Sequence, residues 1–377
     1  MFHVSCFMKI LFTGGGTGGH LFPIIAIIRE IKRLSDNKSI ELHYIGPQDK
    51  TGKFLLSQEN VVIHPIAAGK LRRYFALENI TDVLFNIPLG FFQSFFILLF
   101  NRPDVIFSKG GSGSVVVTIA ASILGIPVFL HESDMSPGLS NKVTSHFAKK
   151  IFTAFSKTEY FNPSKTLVVG QPILKELLEG DENAARELFH LTLEKPILLV
   201  WGGSQGAQPV NDFILNILNQ LIQKYEIIHV CGRGNHQETD EQSKVILDTN
   251  LQKYYHLWEF LEEAPLKHAL KVCHFVISRA GSGSIFEIAA AGKPAIIIPL
   301  PSAAHNHQSK NAYAYAQSGA AIVMEQNTLS PNIFSQKLDY IMSHPEEVKV
   351  MQEKALAFAK PLAAKAIARE LLEFLQK

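Results

Sequence analysis

The sequence predicts an α/β protein of two domains, each a parallel sheet covered by helices, on three observations. The chain has 377 residues, about twice a typical domain. Short apolar runs alternate with helical patterns along it, as expected of strands joined in parallel through crossover helices. Four times, an apolar run ends in a cluster of glycines and serines that opens a helical pattern.

The first series of predicted strands is Lys9–Thr13, Leu42–Ile45, Val61–Ile66, Val105–Ser108, Val128–His131 and Ile151–Ala154. After the first strand, Ile24, Ile28, Ile31 and Leu34 recur at helical spacing, so Leu21–Leu34 reads as a helix. The strand signal stops at Gly170 and Pro172, where a charged helix, Leu174–Glu179, is expected to follow. This gives a first domain over 1–170 and a second over 171–360. The second series is Ile197–Trp201, Ile227–Cys231, Phe275–Ser278 and Ala295–Leu300. Pro361–Lys377 reads as an amphipathic helix with Leu362, Ile367, Leu371, Leu372 and Phe374 as its apolar stripe, expected to pack back on the first domain.

Composition narrows the function classes. Hydrophobic residues make up 47% and charged ones 19%, enough apolar surface for two cores. A formal charge of +2 gives no general attraction for polyanions, so nucleic acid is not an expected partner. Cys6, Cys231 and Cys273 lie far apart, without the spacing of a disulfide framework or a zinc site, which fits a reducing compartment. The N-terminal apolar stretch runs straight into a glycine turn, so no signal peptide is expected, and Met8 offers a second start that makes 1–7 an optional extension. Val83–Phe100 is membrane-like, but Asn86, Pro88, Gly90, Gln93 and Ser94 make it a poor spanning helix, and the chain is expected to be soluble.

The glycine turns are Gly14–His20, Gly110–Ser114, Gly202–Gly206 and Arg279–Ser284. Glycine lets the backbone approach a ligand closely, and the helix that starts there aims unpaired N–H groups at an anion. Small residues also occur wherever strands meet helices, so one such turn says little; four say more. The first turn satisfies G-x-G-x-x-G, yet the next strand ends Tyr44-Ile45-Gly46, without the carboxylate that would hold an adenosine ribose. An NAD-dependent oxidoreductase is therefore disfavoured. The fourth turn is the most informative. Ser282, Gly283 and Ser284 supply N–H and hydroxyl donors suited to a diphosphate, and Glu287, one turn on, suits both hydroxyls of a ribose.

With those residues in view, the chain resembles the MurG family of bacterial peptidoglycan N-acetylglucosaminyltransferases. The resemblance rests on Gly14–His20 with Pro23, His131-Glu132-Ser133-Asp134 with Pro137-Gly138-Leu139 and Asn141, Gly202–Ala207, Arg279–Glu287, and Gln308 with Asn311-Ala312. It implies the GT-B fold, two Rossmann-like domains with parallel sheets facing an interdomain cleft. It further implies inverting, metal-independent transfer of N-acetylglucosamine from UDP-GlcNAc to the muramoyl sugar of an undecaprenyl-diphosphate-linked muramoyl peptide. No cofactor is implied, and the absence of any Asp-x-Asp agrees with a metal-free mechanism.

By position, Glu287 would bind the uridine ribose, Ser204 and Ser282–Ser284 the diphosphate, Leu261 the uracil, and Gln308 the transferred sugar. Arg279, Gly283, Ile285, Phe286 and Asp134 complete the implied donor set. Thr17, Gly18, Gly19 and His20 would face the acceptor and the transferred sugar. Four positions depart from the family pattern: Asp134 for an asparagine, Leu174 for an arginine, His307 for a glutamine and Ser112 for an aromatic.

Inverting transfer needs a base for the acceptor hydroxyl. His20 is the candidate and Glu132 its rival. His305 and His307, without a nearby cysteine or carboxylate, make a thin case for a metal. Lys70, Arg72, Arg73 and Phe75, ahead of a phenylalanine-rich stretch, suit peripheral contact with the anionic inner-membrane surface on the cytoplasmic side. Alternative readings within the same fold are a diacylglycerol glycosyltransferase and a UDP-sugar epimerase.

Overall fold

The computed structural model describes residues 8–35, 40–47, 50–69, 82–156, 160–203, 206–301 and 306–376. Lys70, Arg72, Arg73, Phe75, Ser204 and His305 lie outside these. The chain divides into two compact units, one of residues 1–174 with 361–377 and one of residues 175–360.

The first unit is a seven-stranded sheet built from β1 (Met8–Thr13), β2 (Ile40–Pro47), β3 (Val62–Ile66), β4 (Val105–Ser108), β5 (Val128–Glu132), β6 (Ala148–Thr153) and β7 (Thr166–Val168). Its order is β3-β2-β1-β4-β5-β6-β7, and every pairing is parallel. Ile10, Leu11, Phe12 and Thr13 are all buried because helices cover both faces. The helix after β1, α1 (Gly18–Leu34), begins three residues before the expected start and packs on the C-terminal helix Ala363–Leu375. Ile367 and Leu371 of that helix are fully buried, and the Phe374 ring lies 5.3 Å from that of Phe129. Leu362 falls short of the expected stripe: it caps the helix and is 68% exposed.

The second unit repeats the plan with six parallel strands, β8 (Ile197–Trp201), β9 (Glu226–Val230), β10 (Tyr255–Trp258), β11 (Phe275–Ser278), β12 (Ala295–Ile297) and β13 (Ala321–Val323). Their order, β10-β9-β8-β11-β12-β13, has the same reversal between its first strand and its fourth. Leu198, Val200, Ile227, Phe275, Ile277 and Ile296 form its core with the covering helices.

Sequence and structure differ at the margins. β7, β10 and β13 went unseen, and all three are edge strands, too short or too exposed to carry a clear pattern. The expected strand Ala295–Leu300 ends at Ile297, because Pro299 and Pro301 have no N–H to continue a ladder. The expected helix Leu174–Glu179 is a single 3-10 turn, Lys175–Leu178, anchored by the buried Leu177. Just before it, Leu174 is buried in the first unit. Gly180, where any Cβ would collide with the Lys267 carbonyl, ends the segment.

Candidate active site

In an open parallel sheet, ligands bind beyond the carboxyl ends of the strands where the strand order reverses. In the first unit that point lies between β1 and β4, and two glycine turns meet there. Gly110 and Gly111 adopt φ of +84° and +95°, the left-handed region that glycine enters without a steric penalty. A Cβ on Gly111 would stand 2.7 Å from the Gly15 nitrogen, and one on Gly15 would stand 2.9 Å from His20 Nδ1. The glycines are thus required by a close approach of two backbones with the His20 ring laid over them.

His20 Nδ1 lies 2.8 Å from Thr17 Oγ1. Thr17 occupies the N-cap of α1, but its hydroxyl serves the imidazole and makes no cap bond. If Nδ1–H donates to Thr17, Nε2 is left as the proton acceptor. Burial lowers the His20 pKa to about 4, with the positive charge of Lys109 acting the same way and Asp134 opposing. The ring is therefore neutral at pH 7.

Glu132 ends β5 and is 3% exposed. Its Oε1 accepts the Asp134 N–H at 2.8 Å and its Oε2 accepts from Asn141 Nδ2 at 2.8 Å. Burial raises its pKa to about 7, helped by the Asp134 charge and resisted by those two hydrogen bonds and by Lys109. Asn141 comes from the helix Leu139–Phe147, and its carboxamide also fills the space a Cβ on Gly110 would need. Neighbouring His131 is fully buried and bonded through Nε2 to the Gly170 carbonyl at 2.9 Å, so that nitrogen carries its proton.

In the second unit the corresponding turns follow β8 and β11, which are adjacent strands joined by a bond from Ser278 Oγ to the Trp201 carbonyl at 2.8 Å. Gly203 and Gly206 both have positive φ, and a Cβ on Gly206 would stand 2.9 Å from Gly232 Cα. The helix after β11, Ser282–Ala290, has Gly281 at its N-cap, which supplies no side-chain cap. Gly283 and Ser284 are partly exposed there, whereas Ile285 and Phe286 point into the core, so those two could meet a ligand only through their backbone.

Glu287 is half-buried, and burial alone pushes its carboxyl up to about 7. Arg279 is 6% exposed, and its guanidinium holds the Ile298 and Pro299 carbonyls and Gln326 Oε1, so it ties β11 to β12 and does not project outward. Gln308 Oε1 accepts the Leu300 N–H at 3.0 Å. Leu261 is buried just before the helix Glu263–Val272.

Residues 10–153 match the glycosyltransferase family 28 N-terminal domain, and residues 197–367 match the family 28 C-terminal domain. The UDP-N-acetylglucosamine--N-acetylmuramyl-(pentapeptide) pyrophosphoryl-undecaprenol N-acetylglucosamine transferase of Clostridium tetani is 38% identical over 341 residues, 90% of this chain and 91% of that protein. A Bacillus anthracis protein of the same description, with the suffix 2, is 37% identical over 92% of this chain and 95% of its own. The chain belongs to the MurG family. Among solved structures, Acinetobacter baumannii MurG superposes with a TM-score of 0.74 at 25% identity, covering 97% of this chain and 99% of that one. A Neisseria meningitidis UDP-GlcNAc 2-epimerase reaches 0.70 at 15% identity, covering 97% and 100%, a likeness of fold alone.

Within this MurG-family glycosyltransferase, the structure brings together more residues than the sequence singled out. Thr17, His20, Glu132 and Asp134 gather at the carboxyl edge of the first sheet, as do Lys109, Ser133 and Gln171, which had not been selected. A lysine directly between an apolar strand and a glycine pair was the available signal for Lys109. Of the departures from the MurG pattern, Leu174 is 3% exposed and so no surface contact, whereas Ser112 opens the helix Ser112–Ile123.

A carboxyl whose folded pKa is raised binds its proton more tightly in the fold, so its contribution to stability is lost as pH rises from the unfolded value through the folded one. For Glu287 that window runs from 4.5 to about 7. Glu287→Gln should therefore gain about 1–3 kcal/mol over the wild type between pH 4.5 and pH 8. Urea unfolding of both proteins across that range checks this; a pH-independent difference would contradict it.

Proposed function

We propose that this chain transfers N-acetylglucosamine from UDP-GlcNAc to the muramoyl sugar of an undecaprenyl-diphosphate-linked muramoyl peptide, with inversion and without a metal. The donor is assigned to the second unit and the acceptor to the first. The observation that supports the reading is that each unit carries its own half of the chemistry, a helix start with glycine at its N-cap followed by Glu287 in the second and a neutral imidazole at the strand-end edge of the first.

In the reaction, the acceptor hydroxyl attacks the anomeric carbon as His20 Nε2 takes its proton. The bond from that carbon to the UDP oxygen breaks, and the bonding pair leaves with UDP. The Ser282–Ser284 helix start receives the charge that develops on the departing diphosphate, the role a bound cation fills in other enzymes. Gly203, Gly206 and Ser204 are assigned to the same diphosphate, Glu287 to the ribose hydroxyls, Leu261 to the uracil and Gln308 to the transferred sugar. Thr17 fixes the imidazole, and Gly18 and Gly19 leave the acceptor room beside it. Glu132, with a pKa near 7, is the second base that this geometry permits.

Peripheral attachment to an anionic membrane surface is supported by the helix Ile87–Asn101 and the π-helical turn Asp82–Asn86 before it. By length and composition, Leu84–Asn101 could cross a membrane, with a mean hydropathy of 1.5 and 17% of it buried. Its polar residues face the first unit instead. Gln93 Oε1 accepts the Ala67 N–H at 2.7 Å, Ser94 donates to the Gly90 carbonyl, and Gly90 sits where a Cβ would strike the Ala67 carbonyl. Gly90, Ser94 and Leu98 form the inner stripe, while Phe85, Leu89, Phe92, Phe96 and Phe100 form an outer one, each at least 50% exposed. The helix lies on the protein with an apolar ridge outward, the form expected of an interfacial anchor. The basic residues assigned to the same contact are Lys70, Arg72 and Arg73, with Phe75.

His20→Ala should fold normally, bind UDP as the wild type does and lose about 10²–10⁴-fold in turnover. The check is an assay with radiolabelled UDP-GlcNAc and a soluble short-chain analogue of the lipid acceptor, in which wild-type rates would remove His20 from the mechanism. Replacing Phe92 and Phe96 together by serine should weaken binding to anionic vesicles at least tenfold, since each buried ring is worth about 1.5–3 kcal/mol. Unchanged flotation would place the membrane contact elsewhere.

A further inference from the structure

Lys109 is the charged side chain that the mechanism above leaves unused, and its surroundings are specific. It follows β4, the strand between β1 and β5, and it is 3% exposed. Its backbone N–H donates to the Thr13 carbonyl at 2.8 Å, which locks it to the end of β1. Its ammonium donates to Ser133 Oγ, and Ser133 donates onward to Gln171 Oε1 at 2.7 Å. The Cβ atoms of Lys109 and His20 both lie 3.5 Å from the place a Cβ on Gly14 would occupy. The carboxylates of Glu132 and Asp134 act on its charge, and the His131 ring also feels it.

An ammonium taken out of water is costly unless other groups replace its hydration. Here the compensation comes from one hydroxyl and two carboxylates, all contributed by the segment 132–134 after β5. The lysine therefore holds that segment as much as the segment holds it. Glu132 and His20 are the two candidate proton acceptors, and both feel the same charge.

We propose that Lys109 is a positioning residue for the proton-accepting end of this site. Held by Ser133 and through it by Gln171, it anchors the segment that carries Glu132 and presents the buried positive charge against which His20 and Glu132 accept a proton. The inference rests on the transferase reading but does not depend on which of the two is the base. A positive charge disfavours imidazolium and favours carboxylate, so it makes either group easier to keep unprotonated. The charged groups acting on His20 and Glu132 here are Lys109 after β4 and Asp134 after β5, and His131 on β5 feels Lys109 as well. Asp134 acts in the opposite sense to Lys109 on both. Burial lowers the pKa of the ammonium itself, and the carboxylates of Glu132 and Asp134 act in the opposite sense.

The test is the pH dependence of kcat/KM for Lys109→Met and Lys109→Arg, measured with UDP-GlcNAc and the soluble acceptor analogue. Lys109→Met should lower the rate at pH 7 by about 10–100-fold with UDP affinity unchanged, and the acid limb of its profile should move to higher pH by about one unit. Lys109→Arg keeps the charge, so its acid limb should stay at the wild-type position even if its rate falls. A Lys109→Met enzyme that is slower with an unmoved acid limb would show a merely structural lysine and overturn the proposal, as would wild-type rates. Should Lys109→Met fail to fold, displacement of the limb in Lys109→Arg overturns it independently. His20→Gln and Glu132→Gln measured alongside keep the two readings apart. If both remain fully active, the base assignment has failed, whatever Lys109 does.

Discussion

Parallel pairing is the constraint on which the rest of this molecule depends. Because the strands within each sheet run the same way, every strand-to-helix turn falls on the same edge, and the reversal of strand order opens a gap between two of those turns. That edge is where backbone N–H groups go unpaired and where a Cβ is least welcome. Gly15 and Gly111 show the second point: their backbones touch each other and the His20 ring, and nothing larger than hydrogen fits. The same plan in the second unit places the turns after β8 and β11 side by side, with the Ser282–Ala290 helix leading away from one of them.

Charge placement at these edges opposes stability. Glu132 and Glu287 are carboxyls held near pKa 7 chiefly by burial, and His20 is an imidazole held near 4 for the same reason. A protein selected for stability alone would have apolar groups at such positions. In the first unit the tension is shared between two hydrogen-bonded sets, Lys109 with Ser133 and Gln171, and Glu132 with the Asp134 N–H and Asn141, which meet through the backbone of residues 132–134. In the second unit burial is what raises Glu287, with no charged neighbour acting on it among the described residues.

Most of the architecture could be read from the residues because buried parallel strands leave continuous apolar runs. Val105–Ser108, Ile197–Trp201 and Phe275–Ser278 were placed to the residue. The edge strands β7, β10 and β13 carry no such run. Leu167 is 39% exposed in β7, and the four residues of β10 are all only partly buried, so their sequences look like loops. At the site, the glycine turns, His20 and Glu287 were legible because their residue types are unusual beside an apolar strand. Lys109 carried the same kind of signal, but what it touches is set by the fold, and Gln171 carried none, since it meets Ser133 from 38 residues away. Arg279 shows the opposite case: a charged residue in the fourth turn that looks ready for an anion is occupied by backbone carbonyls.

The central claim is the proposal that the second unit receives a nucleotide diphosphate at the start of the Ser282–Ala290 helix and its ribose at Glu287. Titration calorimetry of UDP against the wild-type protein and Glu287→Ala addresses it directly. Loss of a hydrogen bond to a charged group should weaken binding by about 1.5–3 kcal/mol, roughly 10–150-fold. Equal UDP affinity in the two proteins would contradict it.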